Sequence, residues 1–141
     1  MGEIHSKKII IKNTIEEVQR AISAFETFAI QYDIPETIMV KVNIVLDELL
    51  SNIVKYSFPD DDEHEIDISI ELFTTGKLII QLTDAGIPFN PFDTPEPDLS
   101  IPLEDREVGG LGILLVKKLM DEYSYKRQVN LNITSMIKNN C

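Results

Sequence analysis

Three short stretches hold residue types that could do chemistry together. Glu48-Leu-Leu-Ser-Asn52 lies within a helical pattern, Asp84-Ala-Gly86 ends a strand pattern, and Gly109-Gly110-Leu-Gly112 opens another helix. A carboxylate and an amide at i and i+4 point the same way from a helix. An amide oxygen is a reasonable Mg²⁺ ligand when phosphates complete the shell, and a nearby carboxylate can accept a proton from an attacking hydroxyl. A carboxylate at a strand end can accept a hydrogen bond from an exocyclic amine, which favours adenine over guanine, whose corresponding position is a carbonyl. Gly86, with no Cβ, lets the backbone approach a flat base. Glycines at a helix start leave free N–H groups that accept anions. Singly, each pattern is common. Together they describe a nucleotide site.

The elements that must position these groups can be read from periodicity. Residues 7–12 form a short strand, and Thr14-x-x-Glu17 reads as a capping box for a helix running to about Gln31. Ile15, Val18, Ile22, Phe25 and Phe28 make its apolar face. A second helix starts near Pro35 and Glu36 and reaches about Tyr56, with Val42, Leu46, Leu49 and Ile53 as its stripe. Glu48 and Asn52 then share one flank of that stripe, where groups line a cleft beside the core. Ile66, Ile68, Ile70 and Leu72 alternate with polar residues, and so do Leu78, Ile80 and Leu82. These are two antiparallel strands joined at Thr74-Thr-Gly76-Lys77, and Asp84 falls on the apolar face of the second. A helix over Leu111–Met120 and two strands, Asp121–Arg127 and about Asn130–Lys138, close the chain.

Residues 85–108 differ in character. Five of the seven prolines lie there, and four of the six glycines bracket the stretch. A loop of this length inside a compact domain is uncommon unless functional, which predicts a lid at about 87–108 with glycine hinges. The whole reads as α+β: a two-layer sandwich with a largely antiparallel mixed sheet and about three helices on one face. The 141 residues predict a single domain over 1–141.

Bulk properties exclude several classes. A net charge of -11 repels nucleic-acid phosphates and anionic membranes, whereas a nucleotide's charge can be offset locally by Mg²⁺ and backbone donors. No apolar run is long enough to span a membrane. Cys141 is the only cysteine, so no disulfide forms within the chain, consistent with a cytoplasmic setting. His5 and His64 have no ligand spacing and read as solvated surface residues, as does the Asp60–Glu63 run. There is no P-loop, and the glycines do not follow a strand in a βαβ unit.

The order and spacing of Glu48-x-x-x-Asn52, Asp84-x-Gly86 with Pro88-Phe89-Asn90-Pro91, and Gly109-Gly-Leu-Gly112 resemble the three ATP-binding boxes of the Bergerat fold, shared by gyrase, the MutL repair proteins and histidine kinases. Within that superfamily the chain is most similar to the small anti-sigma-factor serine/threonine kinases of bacteria, above all over Gly109 to Tyr125. The resemblance implies ATP and Mg²⁺ as ligands, with Asn52 on the metal and Glu48 as general base. It implies Asp84 and Gly86 at the adenine, and Arg106, Gly110 and Gly112 at the phosphates. It further implies a sigma factor and an anti-sigma antagonist as partners, and a homodimer. The other readings are a non-catalytic ATP-responsive binding module and a detached histidine-kinase catalytic domain. Pro88 stands where the family pattern has a second glycine, and Gln128-Val-Asn130 lacks the usual turn glycine. Thr134 is loosely matched to a residue that holds a water near the aspartate.

Overall fold

The computed structural model describes residues 4–93 and 110–141. Strand β1 (Ile4–Lys12) leads into helices α1 (Ile15–Gln31) and α2 (Glu36–Tyr56), followed by strands β2 (Glu65–Phe73) and β3 (Leu78–Asp84). Helix α3 (Gly110–Leu119) and strands β4 (Glu122–Gln128) and β5 (Leu131–Lys138) complete the chain. The five strands lie in the order β1-β2-β3-β5-β4, and every neighbouring pair is antiparallel. This is an open α+β sandwich, with helices over one face of the sheet.

Local chemistry sets the element ends. The Thr14 hydroxyl accepts the Glu17 N–H at 3.3 Å, the first half of the expected capping box. The reciprocal half departs from the pattern. Glu17 Oε1 accepts the backbone N–H of Lys12 at 3.1 Å, tying the helix start to the end of β1. At the other end of α1, Asp33 adopts φ 57°, Ile34 N–H donates to the Ala29 carbonyl at 2.9 Å and Asp33 N–H to that of Ile30 at 3.4 Å. This is a Schellman ending with aspartate in the left-handed position where glycine is commoner, and Ile34 completes it by packing into the core. Pro35 follows with extended backbone at the N-cap position of α2, where it makes no side-chain capping bond.

Alternation on the strands delivers the core. Ile9, Ile11, Ile66, Ile68, Ile70, Leu78, Ile80, Leu82 and Met136 point inward against Val18, Phe25, Phe28, Val42, Leu46, Leu49, Leu50 and Ile53 of the long helices and Val116 of α3. Phe25 is wholly buried, so its truncation to alanine removes about 3–5 kcal/mol, a large share of a domain's stability. Among the described residues no helix is long and apolar enough to cross a membrane.

Candidate functional site

Glu48 and Asn52 project from the same flank of α2, and the Asn52 amide donates to Glu48 Oε1 at 3.1 Å. Asn52 is more deeply placed than a cleft-lining residue need be, at 7% exposure, while Glu48 is half-buried. What closes over the pair is α3. A Cβ built on Gly112 would collide with the Glu48 carboxylate, so the first turn of α3 lies directly against that side chain. Two of the three sequence motifs therefore meet, and they meet at the carboxylate.

The strand-end motif is joined to α2 by another route. Asp84 closes the alternating face of β3 and is 3% exposed. Its Oδ1 accepts the Gly86 backbone N–H at 2.9 Å, an Asx-type turn that bends the chain out of the sheet. Gly86 then passes over the end of α2. A Cβ there would strike the carbonyl oxygen and Cβ of Ser57, and the next residue, Ile87, donates its N–H to that same Ser57 carbonyl at 2.8 Å. Glycine is required here by close packing of backbone on backbone. The neighbour of its missing side chain is the backbone at Ser57.

A buried charge needs partners, and the second partner of Asp84 is one the sequence reasoning missed. Asn132 of β5, 1% exposed, stands opposite Asp84 in the strand register and donates from Nδ2 to Oδ1 at 3.0 Å. Thr134 is also buried but stands opposite Leu82, one inward position away from this carboxylate. The signal for Asn132 was available: Asn132, Thr134 and Met136 alternate on one face of β5, which places two polar groups on a core-facing side.

Asn132 in turn gathers the surrounding loop and the edge strand. Its Nδ2 also donates to the Ile87 carbonyl at 2.7 Å, and its Oδ1 accepts from Tyr125 Oη at 2.5 Å, Arg127 Nη1 at 3.1 Å and the Phe89 N–H at 3.2 Å. Arg127 Nη1 also donates to the Gly86 carbonyl at 2.7 Å. The start of the expected lid, Ile87 to Phe89, is thus fastened to α2 and β5. Tyr56, half-exposed at the end of α2, sits with its ring 5.6 Å from that of Phe89.

Gly110 begins α3. Gly109, Arg106 and residues 94–108 of the expected lid lie outside the described residues. The two histidines are not simply solvated: His5 stacks on Tyr32 at 3.9 Å and His64 on Phe58 at 4.4 Å, with His64 Nε2 2.6 Å from Asp60 Oδ1. Among the described residues no group of three or more histidine, cysteine, aspartate or glutamate side chains could hold a metal by itself.

A five-stranded antiparallel sheet under three helices, with these motifs on α2, β3 and α3, defines a class that comparison bears out. Residues 11–138 match the profile of the histidine kinase-like ATPase domain, and the chain belongs to that family. It is 28% identical over 91 residues to the serine/threonine-protein kinase BtrW of Bordetella bronchiseptica, an alignment covering 64% of this chain and 63% of that one. It is 29% identical over 104 residues to the serine-protein kinase RsbW of Listeria monocytogenes, covering 68% and 64%. The chain therefore spans less than two thirds of the length of these curated relatives. Among solved structures it resembles the RsbU and RsbW domains of Rv1364c from Mycobacterium tuberculosis, with a TM-score of 0.70 at 11% identity over 96% of this chain and 32% of that one. The SiaB–SiaC complex of Pseudomonas aeruginosa gives a TM-score of 0.57 at 12% identity, over 94% and 88%. At such identities the likeness to these structures is one of fold.

Proposed function

We propose that this chain is an ATP-binding regulatory protein serine/threonine kinase that sequesters a sigma factor and phosphorylates an anti-sigma antagonist in the cytoplasm. The observation that supports it most is the contact between the Glu48 carboxylate and Gly112, with Asn52 bonded to the same carboxylate. Proton acceptor, amide and glycine-rich helix start come together there, as transfer of a terminal phosphoryl group to a hydroxyl requires.

The donor set fits Mg²⁺–ATP. Asn52 supplies a hard amide oxygen beside a carboxylate, suited to an ion whose remaining ligands are phosphates and water. When bound, the ion supplies neutralisation of charge on the transferring phosphoryl group. Its protein ligand in this reading is Asn52. Glu48, oriented by the Asn52 N–H, accepts the proton of the substrate serine or threonine. Asp84 accepts the adenine amine, and its buried position excludes competing water. Gly110 and Gly112 present backbone N–H groups to the phosphates at the positive end of α3, and Arg106 supplies a further phosphate contact.

Calorimetric titration with ATP, with and without Mg²⁺, tests the binding. Asp84→Asn is expected to weaken ATP about tenfold or more, and Asn52→Ala to abolish the magnesium dependence. Unchanged binding in both variants would overturn the site. Incubation with labelled ATP and a candidate antagonist tests the transfer, which Glu48→Gln should suppress.

A further inference from the structure

The amide of Asn132 is buried, and its orientation is dictated by its surroundings. Nδ2 faces two acceptors, Asp84 Oδ1 and the Ile87 carbonyl, while Oδ1 faces three donors, from Tyr125, Arg127 and the Phe89 backbone. Rotating the amide by half a turn would set an N–H₂ against three donors and an oxygen against a carboxylate. One arrangement satisfies all five contacts, whereas the other keeps at most the one to Tyr125, whose hydroxyl can also accept.

We propose that Asn132 is a positioning residue that locks the Asp84 carboxylate and thereby sets selectivity for adenine over guanine nucleotides. This deepens the ATP-binding reading and rests on it. Asp84 has rotational freedom about its terminal torsion, and a base is discriminated only if the accepting oxygen is fixed where the exocyclic amine arrives. The Gly86 N–H and Asn132 Nδ2 converge on one oxygen of Asp84 from two different elements, the turn and β5. Two donors on Oδ1 fix the plane of the carboxylate and the direction in which Oδ2 points. The Arg127 guanidinium sits one amide away, bonded to both Asn132 Oδ1 and the Gly86 carbonyl, and so braces the amide that holds the carboxylate. A threonine in this place would have a single rotatable donor. The planar amide instead ties the carboxylate, the Ile87–Phe89 loop and β4 into one unit.

The test compares ATP and GTP affinity by calorimetry in wild type, Asn132→Ala and Asn132→Asp, with folding checked by circular dichroism. Wild type is expected to prefer ATP strongly. Asn132→Ala should weaken ATP about ten- to a hundredfold while moving GTP little, collapsing the preference. Asn132→Asp preserves shape but opposes two carboxylates, which must share a proton to coexist. Relative to wild type at the same pH, its ATP affinity should therefore be poor at neutral pH and recover as the pH falls towards about 5, with Asp84, Tyr125 and Arg127 the ionisable groups bonded around that position. A merely structural asparagine would weaken ATP and GTP alike, so the ratio between the two nucleotides separates the roles. If Asn132→Ala fails to fold, the ATP-to-GTP ratio of Asn132→Asp at neutral pH decides alone. An ATP-to-GTP ratio unchanged in Asn132→Ala, or an Asn132→Asp profile parallel to wild type, overturns the inference. Failure of the wild-type protein to bind ATP would instead overturn the proposed function.

Discussion

The α-carbon of Gly112 lies against the carboxylate of Glu48, so close that no other residue type fits at that helix position without moving the acid. The obstacle is the far end of a flexible side chain, which can swing aside. Gly112→Ala should therefore alter stability by only about 1 kcal/mol while turning the Glu48 carboxylate away from the position at which Asn52 holds it. Under the proposed function, the rate of phosphotransfer should fall about a hundredfold or more, with ATP affinity less affected. A variant that keeps full transfer activity would show that the contact is incidental to the chemistry.

Gly86 presents the opposite case. Its obstacle is the backbone carbonyl of Ser57, at the end of the long helix α2, and backbone cannot step aside. Gly86→Ala should cost about 1–3 kcal/mol and break the Ile87–Ser57 hydrogen bond. Urea denaturation of both glycine variants, measured side by side, should separate them clearly.

Acid should weaken the junction of β1 and α1. Glu17 is held down to about 2, chiefly by its hydrogen bond from Arg20 Nε at 2.6 Å and then by the Lys12 backbone N–H. A carboxyl whose folded-state value is depressed stabilises the fold above its ordinary value of 4.5 and loses that contribution as the pH falls towards about 2. Urea midpoints measured from pH 5 to about 2 should fall less steeply for Glu17→Gln than for wild type, although the variant starts lower at neutral pH.

The turn between β4 and β5 offers a stabilising change. Val129 and Asn130 adopt φ 48° and 64°, the left-handed pair of a tight hairpin. A β-branched residue is poorly suited to that conformation, and Val129 is 85% exposed, so nothing in its packing compensates. Val129→Asn should raise stability by about 1 kcal/mol, read as a higher urea midpoint with unchanged slope. An unchanged or lowered midpoint would show that the strain is absent in solution.

Much of this was visible in the residue pattern because it is local. The Glu48–Asn52 pairing follows from the four-residue spacing of a helix, and the inward position of Asp84 from the two-residue alternation of a strand. Asn132 was missed because its importance depends on β5 inserting between β3 and β4, which places it opposite Asp84. Periodicity specifies which face a residue occupies and is silent on which strand lies beside it. The same holds for Ser57, whose carbonyl receives a residue thirty positions further along the chain, and for the stacking of His5 on Tyr32 across two elements. Charge and burial preferences identified the groups, and tertiary order chose their companions.

Strand β4 is the outermost of the sheet on its side, and six of its seven side chains face solvent. Such a margin opens more readily than the interior, since little apolar surface holds it down. Yet Tyr125 and Arg127, which brace Asn132, both belong to it. Modest warming should therefore slacken the Asn132–Asp84 network well before the interior melts, leaving a temperature range in which the protein is still folded but the proposed nucleotide would be held loosely.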